Sequence, residues 1–507
     1  MLHASLTADP AQTVGPVHRR TFGSFVEHMG RCVHTGIHEP GHPTADADGF
    51  RGDVAELVRE LGVTTVRYPG GNFLSGYRWE DGIGPKENRP VRRDLAWHSL
   101  ETNQFGLDEF MTWCRRLDIE PMMAVNLGTR GLQEALDVLE YANHPNGTHL
   151  SDQRVANGHP QPHDIRMWCL GNEMDGPWQI GNLDARSYGR KAAQVARAMR
   201  MADRDLELVA CGSSGSWMPT FGAWENDVLE ETYDVVDYIS LHAYYQEHDG
   251  DLGSFLASVV DMDHFIDSVT ATADAVGARL RNSKKIQLSF DEWNVWYQTD
   301  HHAAAAAQAT DDWRIAPRVI EDRYNAADAV VVGNMLISLL RHSDRVTAAS
   351  QAQLANVIAP IMTEPEGPAW RQTIFHPFAH TARTATGTVL RTELDTPAYE
   401  TERHGEAPVA DAVLTHDPER GTATLYAVNR STDQPLTLTA DLRALAPSSV
   451  TEARVLAETD PYVVNTMAEP DRVTLREAKD TTLEDGHLTA VLPPVSWTAV
   501  TFATTAV

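Results

Sequence analysis

Glu173 closes the run Ile165-Arg-Met-Trp-Cys-Leu-Gly-Asn-Glu, and Glu292 closes Lys285-Ile-Gln-Leu-Ser-Phe-Asp-Glu. Two carboxylates thus stand at the ends of short apolar segments that are far apart in the chain. Such a pair can cleave a glycosidic bond through an oxocarbenium-like transition state, provided one has a raised pKa and gives up a proton while the other works ionised. A charge placed where a strand leaves the core must be compensated by hydrogen bonds or a pKa shift, which sets these two apart from ordinary solvated glutamates.

The neighbouring residues suit sugar chemistry. Asn172 is placed to bond the hydroxyl beside the reacting carbon, a contact that strengthens as positive charge develops in the ring. In Leu241-His-Ala-Tyr-Tyr, period-two alternation puts His242 and Tyr244 on one side. Tyr244 can donate to Glu292 and keep it ionised, while His242 can bond either a carboxyl or the sugar. Gly70 and Gly71 precede Asn72 and allow close approach of the backbone to a ligand. Trp97, Trp293 and Trp296 offer flat apolar faces for a sugar ring or for the core, and Glu27 can bind a hydroxyl or pair with an arginine. His301-His302 and the group His242, His248 and Asp249 lack H-E-x-x-H or any paired ligand spacing, so no metal is expected. Ser213-Ser-Gly-Ser lacks the nucleophile elbow of a serine hydrolase.

Carboxylates so distant in sequence need a scaffold that gathers strand ends at one mouth, as a parallel (β/α)8 TIM barrel does. From residue 20 to about 383, short β-like runs alternate with amphipathic stretches, the texture of a parallel sheet wrapped by helices. Eight strands are expected: 21–27, 63–68, 121–126, 165–170, 206–211, 238–244, 286–290 and the segment around 347–351. Helices are expected at 50–61, stopped by Gly62, and at 184–202 and 324–342. From 384 to 507 the pattern becomes alternating strands and tight turns, predicting a C-terminal antiparallel β-sandwich domain to which part of 1–19 adds an edge strand. The Ala-rich stretch 303–307 reads as a surface loop.

The 507 residues have 42% hydrophobic and 22% charged content, enough for a large buried core. A net charge of -29 repels phosphate backbones and anionic lipid, so neither nucleic acid nor membrane is an expected partner. Cys32, Cys114, Cys169 and Cys211 form no C-x-x-C pair and fit free thiols in a reducing compartment. The first twenty residues lack an apolar segment after a basic start, so a cytoplasmic location is expected.

Taken in order, Phe25-Val-Glu-His-Met-Gly-Arg, Arg67-Tyr-Pro-Gly-Gly-Asn-Phe, Trp168-Cys-Leu-Gly-Asn-Glu-Met-Asp-Gly-Pro-Trp, His242-Ala-Tyr, Asp291-Glu-Trp-Asn-Val-Trp and Ala352-Gln-Leu-Ala-Asn-Val-Ile-Ala-Pro-Ile resemble the α-L-arabinofuranosidases of glycoside hydrolase family 51. The resemblance implies a retaining, exo-acting enzyme on arabinan- or arabinoxylan-derived oligosaccharides, with Glu173 as general acid/base and Glu292 as nucleophile. It carries substrate contacts onto Glu27, Asn72, Asn172, Tyr244, Trp296 and Gln353, with His242 beside the acid or nucleophile. It implies no cofactor or catalytic metal, and a homo-oligomer, commonly a hexamer. A β-xylosidase or endo-β-glucanase of the same barrel clan is the alternative within this chemistry, and a non-catalytic carbohydrate-binding protein the alternative outside it. The sequence departs from the family pattern in the stretch 298–312, with His301-His302, and at His34 and His38. Both departures are expected to border the substrate entrance.

Overall fold

A strand packed inside a barrel and covered by helices outside is buried on both faces, and short continuous apolar runs meet that demand. The structure, a computed structural model, describes residues 1–307 and 311–504. After β1 (Leu2–Pro16), eight strands close a parallel barrel: β2 (Gly23–Phe25), β3 (Thr65–Tyr68), β4 (Glu120–Val125), β5 (Met167–Leu170), β6 (Glu207–Ala210), β7 (Tyr238–Tyr245), β8 (Gln287–Val295) and β9 (Val346–Ala352). β9 pairs with both β8 and β2, which completes the ring.

Period-two alternation sorts the strand residues into two layers. Met122, Ala124, Met167, Cys169, Val209, Tyr238 and Ala348 form one small core, while Met123, Val125, Trp168, Leu170, Leu208 and Ala210 join the larger one that includes the helices. The helix Gly52–Leu61 buries Val54, Leu57, Val58 and Leu61 on one face. It ends at Gly62, whose left-handed φ of 81° lets its N–H bond back to Val58 O.

Downstream come β10 (Thr388–Asp395), β11 (Ala410–Asp417), β12 (Thr422–Asn429), β13 (Leu436–Asp441), β14 (Pro447–Ala457), β15 (Arg476–Glu477), β16 (Thr481–Glu484), β17 (His487–Leu492) and β18 (Ser496–Thr504). With β1 they form one ten-stranded, mostly antiparallel sheet in the order β15-β14-β18-β12-β11-β10-β1-β13-β17-β16. β17 and β18 touch although six places apart in that order, so the sheet folds back on itself. Ala4, Leu6, Leu414, Leu425, Leu438, Leu488 and Phe502 fill the core it encloses. Its other face, with Tyr426 and Trp497, joins the barrel core.

Two expectations are corrected. β1 is an interior strand, antiparallel to β10 and parallel to β13, and its alternating Ala4, Leu6 and Ala8 are buried because both neighbours hydrogen-bond to it. Residues 303–307 end a helix, Gln298–Ala307, in keeping with the high helix propensity of alanine; residues 308–310 of the same stretch lie outside the described residues. The four cysteines are buried and free, and no described helix is long and apolar enough to cross a membrane.

Candidate active site

The C-terminal ends of the barrel strands surround a groove of about 340 Å³ lined by Glu27, Asn72, Trp97, Glu173, Tyr244, Glu292, Trp296 and Gln353. Glu173 follows β5 with a φ of 44°, a left-handed conformation that is uncommon outside glycine and clusters at functional sites. Glu292 sits within β8 rather than beyond it, because the strand expected to stop at Phe290 runs on to Val295. The register of β8 shifts between Ser289 and Glu292 against β7, and such a bulge re-aims a side chain. Beyond the shift, Glu292 faces His242 across the strand pair.

The carboxylates have different surroundings. Glu292 accepts from Tyr244 Oη at 2.7 Å and from Arg67 Nη1 at 2.8 Å. Glu173 accepts from Trp178 Nε1 at 2.6 Å, and His242 Nδ1 lies 3.0 Å from its Oε1 and 3.6 Å from Glu292 Oε2. One carboxylate oxygen each of Glu173 and Glu292 and one ring nitrogen of His242 lie within 4.8 Å of one another. Burial pushes the Glu292 carboxyl up, but the charges of His242 and Arg67 and the Tyr244 hydrogen bond outweigh burial and hold it below the usual range. Burial pushes Glu173 up as well; the His242 bond opposes this, the charge of Glu292 reinforces it, and the net shift is upward. His242 is also raised, since the two carboxylates outweigh its burial.

Arg67 also donates through Nη2 to Asn172 Oδ1 at 2.7 Å, and Asn172 Nδ2 donates to Asn72 Oδ1 at 3.2 Å. One buried guanidinium thus fixes both Glu292 and the amide beside Glu173. Glu27 accepts from Phe73 N–H and Trp97 Nε1, both at 2.9 Å, and from Gln353 Nε2 at 3.0 Å. Burial pushes its pKa up to about 8 against those donors. A Cβ at Gly70 would meet Glu27 Cγ at 2.6 Å, and one at Gly71 would meet Glu292 Oε1 at 3.1 Å. The two glycines therefore let the β3 loop close onto the carboxylates as well as onto a ligand. Trp296 packs edge-on against Tyr244 with ring centroids 5.0 Å apart. Trp296 Nε1 and Gln353 Oε1 are buried without a protein partner among the described residues, as expected of polar groups kept for a ligand.

The chain matches the family models described as alpha-L-arabinofuranosidase 1 domain over residues 57–266 and alpha-L-arabinofuranosidase C-terminal domain over 291–496. It is 59% identical over 502 residues to an intracellular exo-α-(1→5)-L-arabinofuranosidase of Streptomyces lividans, covering 99% of this chain and 75% of that protein. It is 55% identical to an exo-α-(1→6)-L-arabinofuranosidase of Bifidobacterium longum, covering 98% and 96%. A solved family 51 α-L-arabinofuranosidase from Bifidobacterium longum superposes with a TM-score of 0.95 at 51% identity, covering 99% of this chain and 100% of that one. The chain belongs to the α-L-arabinofuranosidases of glycoside hydrolase family 51.

Every site residue expected from the sequence reaches the groove of this family 51 enzyme or the hydrogen-bond network behind it. Trp293 is the exception among the tryptophans considered: it is fully buried and stacks on Phe378 at 6.3 Å, a core filler. His301 and His302 line the groove as expected, with His301 packed against Trp97 and Trp296. His34 and His38 do not border the entrance. Neither lines the groove: His38 is buried and His34 is half-buried, with His34 Nε2 and His28 Nδ1 bonded to Glu101 at 3.0 and 2.9 Å. His28, His34 and Glu101 are close enough to hold a cation, as are Glu173, His242 and Glu292, but in each trio the contacts already serve as hydrogen bonds. The sequence reading missed Arg67, Trp178 and Trp217. Arg67 lay inside a strand, and the two tryptophans become conspicuous only when the β5 and β6 loops meet.

Proposed function

We propose that this family 51 chain releases terminal α-L-arabinofuranosyl residues from arabinan- and arabinoxylan-derived oligosaccharides by double displacement. Glu292 attacks the anomeric carbon while Glu173 protonates the departing oxygen. Glu173 then takes a proton from water as the water displaces Glu292 and the anomeric configuration is restored. The observation that carries this reading is the approach of the two carboxylates to within 4.8 Å, oxygen to oxygen, with their pKa values pushed in opposite directions. That spacing favours direct attack, since an inverting pair stands roughly 6.5–9.5 Å apart to admit a water. Asn172, Asn72, Glu27, Gln353 and Trp296 hold the sugar, and the Arg67 bond fixes how the Asn172 amide points.

Relatives at 59% and 55% identity carry names with (1→5) and (1→6) linkages, so family membership does not by itself fix the linkage. We assign the chain to the cell interior, supported by relatives named intracellular, and to a homo-hexamer by family membership. Light scattering at sixfold the 56.0 kDa chain mass checks the assembly.

The functional test is NMR of the first product from an aryl α-L-arabinofuranoside, with an aryl β-xyloside and a soluble β-glucan assayed alongside. The α-anomer of arabinose should appear first, and the other two substrates should be poor. Initial β-arabinose, or faster turnover of xyloside or glucan, overturns the reading. Tyr244→Phe removes one of the donors that keep Glu292 ionised. It should lower kcat/KM about 10- to 100-fold and move the acid limb of the pH profile toward neutrality, as expected for losing a hydrogen bond to a charged group.

A further inference from the structure

Trp178 and Trp217 line the catalytic groove yet remain 44% and 63% exposed, unusual for large indoles outside a binding surface. They come from adjacent loops after β5 and β6 and are held by the same device. In Gly176-Pro-Trp178 and Gly215-Ser-Trp217 each indole folds back over the glycine two residues before it, and a Cβ on either glycine would collide with the ring. The loops are tied together, since the Asp175 carboxylate accepts from Ser214 N–H at 3.0 Å and from the Ser214 hydroxyl. Ser216 in turn donates to Asp261 at 3.0 Å, anchoring the second loop to the body of the barrel. The tryptophans therefore stand in fixed places, with centroids 5.9 Å apart and planes tilted by 31°.

The order of contacts gives them a direction. Glu173 delivers its proton to the departing oxygen, so whatever Trp178 flanks, through its 2.6 Å bond to Glu173, lies at the start of the leaving group. Trp217 packs beside Trp178 at a centroid distance of 5.9 Å and is the more exposed of the two, so it stands on the solvent side of Trp178. Rigid apolar faces of this kind suit the C–H surface of a neutral sugar ring. We propose that Trp217 is a specificity-determining residue that stacks on the second sugar beyond the scissile bond. The enzyme would then favour substrates with at least two sugars in the leaving group over disaccharides and aryl glycosides.

This inference rests on the catalytic reading above, and its test separates the two. The parent, Trp217→Ala and Trp217→Phe are assayed on 4-nitrophenyl α-L-arabinofuranoside, arabinobiose and arabinotriose. In Trp217→Ala, kcat/KM for arabinotriose should fall about tenfold, mainly through KM, with the aryl substrate and arabinobiose within about twofold of the parent. Trp217→Phe should keep most of the arabinotriose activity. An unchanged triose-to-biose ratio in Trp217→Ala, or equal losses on all three substrates, overturns the platform while leaving the catalytic reading in place. A parent that hydrolyses none of the three overturns the catalytic reading instead. Calorimetry of arabinotriose binding to Glu292→Ala, with and without Trp217→Ala, then judges the platform without turnover. Weaker binding supports it and equal binding overturns it.

Discussion

Glu292→Ala should lose about 10⁵-fold or more in kcat on an aryl α-L-arabinofuranoside, the scale on which removing a covalent nucleophile acts, while still binding arabinose-bearing oligosaccharides. No other described carboxylate is placed to replace it. Asp291, next in sequence, is turned into the barrel, where it accepts from Ser289 and lies 3.7 Å from Arg67 Nε. The substitution also opens space on the attacking face, so a small anion such as azide should restore part of the turnover and give a glycosyl azide of inverted configuration. There is a structural cost, because Arg67 is fully enclosed and loses the partner of its Nη1. Breaking a buried pair by deleting one member typically costs about 3–5 kcal/mol, so a lower thermal midpoint is expected. Glu292→Gln, which keeps the volume and an oxygen toward Arg67, should be equally inactive but closer to the parent in stability. A Glu292→Gln protein retaining more than about a hundredth of parental kcat would remove Glu292 from the covalent role.

How far the sequence led depends on whether a residue's role is set locally or by pairing across the fold. The eight barrel strands were legible because burial on both faces imposes continuous apolar runs, and the chain supplies them at Met167–Leu170 and Tyr238–Tyr245. Glu173 and Glu292 were legible because a charge at the end of such a run is conspicuous. β1 was misplaced because its parallel partner β13 lies more than four hundred residues away, and period two alone cannot say whether one or both edges of a strand are paired. Arg67 reads as part of a strand, and only the register of β3 against its neighbours brings it beside residues 172 and 292. His34 and His38 look like entrance residues by position in a long loop, yet Glu101 lies behind that loop and gathers His34 inward. The stretch from Gln298 gave an alanine run and no cap signal, so its helix rested on propensity alone.

Glu173→Ala should divide substrates by leaving group, because in the proposed mechanism Glu173 serves both steps in different ways. Oligosaccharides need a proton on the departing oxygen and should lose about 10²–10⁴-fold. A dinitrophenyl arabinofuranoside leaves without that proton, so its first step should be nearly intact while the second lacks its general base. The glycosyl-enzyme should then accumulate, giving a burst, a low steady-state rate and a reduced KM. Azide, which needs no deprotonation, should speed the second step and yield the retained α-azide, opposite in configuration to the product expected from Glu292→Ala. The pH profile adds a check whose sign follows from the surroundings of each group. As the proposed nucleophile Glu292 must be ionised, and it is held below the usual carboxylate range, so activity should fall only when the pH drops through that depressed value. As the proposed acid Glu173 must be protonated, and its pKa is raised, so activity should fall as the pH climbs through the raised value. Replacing Glu173 should therefore erase the alkaline limb and leave the acidic one, because His242 and Tyr244 still face Glu292. Equal losses on good and poor leaving groups, or an alkaline limb that survives, would assign the proton transfer to another group, with His242 at 3.0 Å from the vacated carboxylate as the first to examine.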